Sequence, residues 1–150
     1  MRYLSQTLIR LILGAVLVVT ACSSEEAPEP KQTTEILWDT WGVPHVFAGD
    51  TEELFRAFGW AQMKSHGDLI LELYGQARGR AAEYWGEEYL SSDVWVRVNS
   101  IPSRGDEWWA RQDSQIAGFL QRFADGMNSY AEEHPAELRQ DLRVVLPVGP

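Results

Sequence analysis

Cysteine is all but missing from this 150-residue chain: Cys22 is the only one. That excludes an internal disulfide framework and a thiolate-rich zinc site. Histidine is scarce, and its three copies are scattered. His66 and Asp68 stand two apart, a spacing that sends side chains to different faces of a helix, so the sequence offers no metal site. Positive charge is in deficit, with 13 Lys plus Arg against 22 Asp plus Glu and a formal charge of -9. Such a chain lacks the basic face that nucleic acid phosphates require, which excludes nucleic acid as a partner. No serine sits in a Gly-x-Ser-x-Gly elbow, and no Gly-rich phosphate loop is present. The carboxylate pairs Glu52/Glu53, Glu87/Glu88 and Glu132/Glu133 are sequence neighbours that diverge on a helix. They read as solvated faces, not as acid–base pairs. No apolar run reaches the roughly 20 residues that span a bilayer.

What is present begins with an address. Arg2 and Arg10 precede the apolar residues 11–19, the length of a signal-peptide core behind a basic leader. The run ends Val19-Thr20-Ala21-Cys22, with Ser23 and Ser24 next, and resembles the lipobox of bacterial lipoproteins. Residues 1–21 are therefore expected to be a signal peptide cleaved between Ala21 and Cys22, with the Cys22 thiol carrying the lipid. An ordinary secretory signal with an incidental cysteine is the other reading. Ser23 after the cysteine resembles the version sorted to an outer membrane. The expected location is the periplasmic face of a bacterial, outer membrane, with the lipid as the membrane contact. Residues 22–34, polar and carrying Pro28 and Pro30, read as a flexible tether.

The composition of the whole chain, 45% hydrophobic and 23% charged, is neither that of a disordered nor of a fibrous protein. Seven Trp and five Phe demand burial in a core or against a partner. Residues 35–41 are rich in strand formers, Gly42-Val43-Pro44 punctuates them, and His45-Val46-Phe47 resumes. This predicts two short strands around a bend, with Pro44 at an edge. Asp50 with Glu53 three later predicts a capped helix start, and Leu54, Phe55, Phe58, Leu69, Ile70, Leu73 and Tyr74 keep helical spacing. Gly67 is expected to bend or split that helix, and Ala81 to Trp85 to make a further turn or two. Val94, Val96 and Val98 alternate, so residues 91–100 read as irregular or extended. Pro102 and Gly105 mark a loop, with Asp106 as a cap for residues 107–111. Ile116, Phe119, Leu120, Phe123, Met127 and Tyr130 form the clearest amphipathic helix, ended by His134-Pro135.

Isolated polar groups point to scaffold roles. His45 reads as a partly buried hydrogen-bonding residue beside a turn, and His134 as a helix end. Arg78-Gly79-Arg80 suits an anion, or an Arg that pairs with Glu83 to pin a turn. Trp108-Trp109 and the Phe119/Phe123 stripe read as core packing before they read as a sugar or acyl platform.

Order and spacing add a resemblance. Ile36-Leu37-Trp38-Asp39 is followed by Gly42-Val43-Pro44-His45, then by Phe58-Gly59-Trp60-Ala61-Gln62 and Ser65-His66-Gly67-Asp68. Leu73-Tyr74-Gly75-Gln76-Ala77-Arg78-Gly79 runs into Ala82-Glu83-Tyr84-Trp85-Gly86. Phe123-Ala124-Asp125-Gly126-Met127-Asn128-Ser129-Tyr130 and Val144-Val145-Leu146-Pro147-Val148 complete the series. Together these resemble the start of the α chain of the penicillin acylase family, which belongs to the N-terminal nucleophile hydrolases. The cephalosporin (glutaryl) acylase and acyl-homoserine-lactone acylase branches are the nearest in pattern.

The resemblance implies an α+β fold: residues 35–150 would be a mostly helical, incomplete α-chain portion of a four-layer αββα body. It implies a precursor that cleaves itself into α and β chains, with the β chain as partner. The nucleophile would be the β chain's N-terminal Ser, activated by its own α-amino group. The substrate would be an N-acyl amide, such as a penicillin or cephalosporin β-lactam or an acyl-homoserine lactone. No residue here matches the family's nucleophile, oxyanion-hole or calcium-ligand positions, so no catalytic residue is transferred. No cofactor is expected in this chain, with calcium a candidate for the complete enzyme. The 150 residues alone are expected to be inactive. The alternatives are a lipid-anchored, non-enzymatic binding or structural lipoprotein, or a remnant of a decayed acylase gene.

Overall fold

The computed structural model describes residues 33–150. The leader, the Ala21–Cys22 cleavage site and nearly all of the tether lie outside the described residues. Residues 33–150 fall within one compact unit. It holds one antiparallel hairpin and a largely helical remainder, as the α+β expectation has it.

Strands β1 (Glu35–Trp38) and β2 (Pro44–Phe47) pair with Glu35 opposite Phe47 and Trp38 opposite Pro44. Pro44 thus closes the ladder at its end, where its missing N–H costs nothing. The first strand is shorter than expected because Asp39 takes over as the organiser of the turn. Its Oδ1 accepts from the N–H groups of Trp41 (2.8 Å) and Val43 (2.9 Å). Gly42 supplies the left-handed φ of 77° that the reversal needs.

Helix α1 (Thr51–Ala77) starts at Asp50, whose carboxylate accepts from the Glu53 N–H at 2.8 Å. The Glu53 carboxylate turns to Arg56 (3.1 Å) and to the Thr34 hydroxyl (3.5 Å). The helix breaks its regular geometry at His66 (φ −142°, ψ 26°), one residue before the expected Gly67. Gly67 packs so tightly on Leu138 that a Cβ would stand 2.4 Å from its Cδ2. The short helix α2 (Ala81–Trp85) follows, then a 3₁₀ turn.

Two expectations fail next. Residues 91–100 are not extended: Leu90–Val98 is helix α3. Val94 and Val98 lie four apart on one exposed face while Val96 is buried on the other, so their alternation is helical after all. Nor is the Pro102–Gly105 stretch a loop. Ile101–Ala110 is helix α4, with Pro102 in the first turn, where proline is tolerated, and Asp106 in mid-helix instead of at a cap.

Helix α5 (Ser114–Glu133) follows the expected stripe and is capped by Asp113, which accepts from Gln115 N–H at 2.9 Å. His134 sits at its C-terminus, its N–H bonded to the Tyr130 carbonyl (2.8 Å). Helices α1 and α5 cross in backbone contact. A Cβ on Gly59 would lie 2.0 Å from the Phe123 carbonyl oxygen, and one on Gly126 would lie 1.9 Å from that of Arg56. Only hydrogen fits at either place. The main core lies along this crossing: Met63 and Leu71 of α1, Met127, Tyr130 and Ala131 of α5, and Leu138, Leu142, Val145 and Val148 from the segment that follows.

Candidate functional site

Three polar arrangements carry the chemistry of this segment, and each serves the scaffold. The first surrounds the hairpin turn. Besides its backbone bonds, Asp39 places Oδ2 3.4 Å from Nε2 of His45. The Val43 N–H, above all, holds the Asp39 carboxyl below its ordinary range. His45 does stand beside a turn, but it is exposed, not partly buried.

The second lies where α2 meets α3. Asp93, only 6% exposed, reaches back to accept from the N–H groups of Ala81 (2.9 Å) and Ala82 (2.8 Å). It caps α2 from another helix, a role the sequence reading missed. The signal was available: on a helical projection of residues 90–98, Asp93 shares the inward side with Val96. Arg80 forms the expected clamp, with Nε and a terminal nitrogen 2.8 and 2.6 Å from the two Glu83 oxygens. That bonding draws the Glu83 carboxyl below its usual range. Arg97 secures the junction through the Gly79 carbonyl (2.8 Å).

The third holds residues 145–149. Arg78, a candidate anion binder by sequence, spends its guanidinium on the carbonyls of Val145 (2.7 Å) and Pro147 (3.1 Å). Asn128 and Val148 exchange a reciprocal pair, side-chain amide to carbonyl and N–H to Oδ1, both 2.9 Å. The Tyr74 hydroxyl donates to the Gly149 carbonyl (3.1 Å). An open groove of about 550 Å³ runs beside this strap, lined by Asn128, Ala131, Glu132, Arg143, Leu146 and Pro147.

Aromatic side chains gather at the far end of α5. Trp60 meets Tyr130 edge-on at 5.0 Å and Trp38 at 6.3 Å, and its indole N–H donates to Glu133 (2.9 Å). Lys64 lies over the Trp38 ring at 4.8 Å. The buried Tyr130 hydroxyl donates to Glu137, and burial first, then that bond, pushes its pKa up to about 12. Trp108 and Trp109 do not pack in the core: they are exposed on α4, with Arg104 over the Trp108 ring at 5.3 Å. Phe119 and Phe123 are half-buried against α1.

Among the described residues nothing assembles a nucleophile with its base. The Thr34 hydroxyl bonds to Glu53 and the Ser103 hydroxyl to the Ser100 carbonyl, and both serve local structure. Among the described residues no three His, Cys, Asp or Glu side chains gather to hold a metal ion. Among them, too, no helix is long and apolar enough to cross a membrane.

The penicillin amidase family model matches residues 33–148. Penicillin G acylase of Escherichia coli is 26% identical over 107 residues, 71% of this chain and 13% of that protein. Acyl-homoserine lactone acylase PvdQ of Pseudomonas fluorescens is 26% identical over 135 residues, 85% of this chain and 17% of that protein. Among solved structures, a thermostable penicillin G acylase from Alcaligenes faecalis superposes with a TM-score of 0.65 at 25% identity, covering 79% of this chain and 64% of that one. The chain thus spans less than a fifth of the length of these two curated relatives.

Proposed function

The chain belongs to the penicillin amidase family, and from that premise we propose that it is the N-terminal part of the α chain of an amide-cleaving acylase. The substrate is an N-acyl amide whose amine side is a β-lactam nucleus or a homoserine lactone. The observation that carries this is the family match across residues 33–148, joined to the fold shared with a penicillin G acylase. The names of the relatives supply the two substrate classes.

In this reading the attacking atom lies outside the chain, on the N-terminal Ser of a β chain cut from the same precursor. A free α-amino group has a pKa near 8, so at neutral pH it can take the Ser proton without a histidine. The present segment contributes scaffold. Asp93, Arg80 and Arg97 fix the α2–α3 junction, and Arg78, Asn128 and Tyr74 fix the course of residues 145–149.

The test is expression of the whole gene product. A new N-terminal Ser, found by sequencing the processed chains, and release of amine from benzylpenicillin or an acyl-homoserine lactone are expected. The 150 residues alone should release none. An unprocessed, inactive product would sink the reading.

Location is a separate proposal: Cys22 carries a lipid that anchors the protein at the periplasmic face of the outer membrane. Several acyl chains hold far better than one, at about 0.8 kcal/mol per buried CH₂. Cys22→Ser should move the protein from the membrane fraction to the soluble one, or leave its leader uncut. A variant that still sediments with membranes after processing would rule the anchor out.

A further inference from the structure

Three of the seven tryptophans stand in the open on helices α3 and α4: Trp95 is 63% exposed, Trp108 62% and Trp109 40%. Leu90, Val94 and Val98, at four-residue steps along α3, are each more than half exposed as well. The inward side of α3 explains this display. Asp93 is fixed on the α2 amides and Val96 is buried beside it, which turns the Leu90/Val94/Val98 stripe to solvent. Helix α4 buries none of its residues. Single exposed apolar side chains are ordinary, but this many large ones within residues 90–109 mark a contact surface.

Charge narrows the partner. Residues 33–150 hold 10 Lys plus Arg against 19 Asp plus Glu, a balance of -9, yet residues 90–111 hold three of each. One of those three acids, Asp93, is buried, while Arg97, Arg104 and Arg111 are all exposed. The surface of this stretch is therefore cationic by one charge on an otherwise acidic body. Glu107 lies 3.8 Å from Arg111, and Arg104 lies over the Trp108 ring at 5.3 Å. Arg104, Trp108 and Arg111 stand at i, i+4 and i+7, on one side of α4. Indole interleaved with arginine suits the headgroup layer of a phospholipid bilayer, where aromatic rings sit at the interface and long cationic side chains reach the phosphates.

We propose that the exposed face of α3 and α4 is a second membrane contact, which seats the folded body on the phospholipid surface that holds Cys22. The proposal rests on the Cys22 anchor reading for its partner. A lipid on Cys22 lies 11 residues ahead of the first described residue, Gln32 being the last between them. A chain of that length reaches at most about 40 Å, so the bilayer stays at high effective concentration. Both helices are too short to cross it and lie in its headgroup layer. Such a contact is weak and reversible by itself, so a washed membrane fraction still loses the Cys22→Ser protein.

The test takes the whole gene product with Cys22→Ser and without its leader, so that no acyl chain contributes. The probe is an excess of vesicles of phosphatidylethanolamine with phosphatidylglycerol. Co-sedimentation is expected, weakened about ten-fold or more in Trp95→Ala/Trp108→Ala/Trp109→Ala. Trp41→Ala, which removes an indole 86% exposed at the hairpin turn, should leave it unchanged. Hydrogen exchange needs no variant and covers the case of a triple variant that folds poorly: vesicles should slow the α4 amides of the parent about five-fold or more. Equal partitioning of a folded triple variant and its parent, α4 exchange that vesicles leave unchanged, or protection that rises with protein concentration instead of lipid would each overturn the proposal. The acyl mass on the Cys22 peptide of the unaltered product is read separately. Its absence would sink the anchor, while the vesicle result would still decide the face.

Discussion

Gly126 and Gly118 sit two turns apart on one helix and answer opposite demands. At Gly126 a methyl group would collide with the Arg56 carbonyl at 1.9 Å, and backbone cannot step aside as a side chain can. Gly126→Ala should therefore cost at least about 3 kcal/mol, the upper end of overpacking. Gly118 has nothing within 4 Å, so Gly118→Ala should gain roughly 0.5–1 kcal/mol of helix propensity. Melting temperatures of the two variants, moving in opposite directions, check both. At Asp93 the carboxylate accepts two backbone N–H groups that have no other partner in α2. Asp93→Ala should cost about 3 kcal/mol, from two hydrogen bonds to a charged group at about 1.5 each, and Asp93→Asn less, since one acceptor oxygen remains. Chemical denaturation of the three proteins would show the order. These roles were unevenly legible. The different roles of Gly126 and Gly118 were not legible in the sequence, because the Arg56 backbone that Gly126 meets lies 70 residues away.

Among the elements, α5 and the start of α1 were readable because two independent signals agree in each: an Asp that caps and a stripe that repeats at helical spacing. Helices α3 and α4 were not. Three valines at alternate positions mimic a strand, and Pro102 with Gly105 mimics a loop. Position resolves both: the proline occupies the first turn, and the valines divide between two helix faces. Helix α4 buries none of its residues, so its stability leans on local propensity more than that of α1 or α5. Gly105 has open space around it. Gly105→Ala should slow hydrogen exchange of the α4 amides about two- to five-fold, as roughly 0.5–1 kcal/mol of propensity implies. A true loop would show no change, which makes exchange rates across residues 101–110 the deciding measurement.

For the molecule as a whole, stability should depend on alkaline pH through Tyr130. Its folded pKa stands at about 12 against an ordinary value of 10.0, because burial, then Glu137, disfavours the phenolate. The resulting stability is complete below pH 10 and is lost as pH rises from there through about 12. Melts of the native protein should fall over that window more steeply than those of Tyr130→Phe. Equal slopes would mean the hydroxyl is not held neutral by the fold. At this scale the sequence was least informative. Composition forecast apolar surface in excess, but not that Tyr130 would be buried while Phe55, Phe119 and Phe123 stay half-buried and Phe58 exposed.

Residues 142–148 contribute Leu142, Val145 and Val148 to the core and are gripped by side chains from residues 78 and 128. During synthesis the first helix emerges from the ribosome long before them. Until they arrive, Met63 and Leu71 lack part of their covering. A messenger shortened ahead of codon 142 would release a chain that cannot close, however intact its earlier helices.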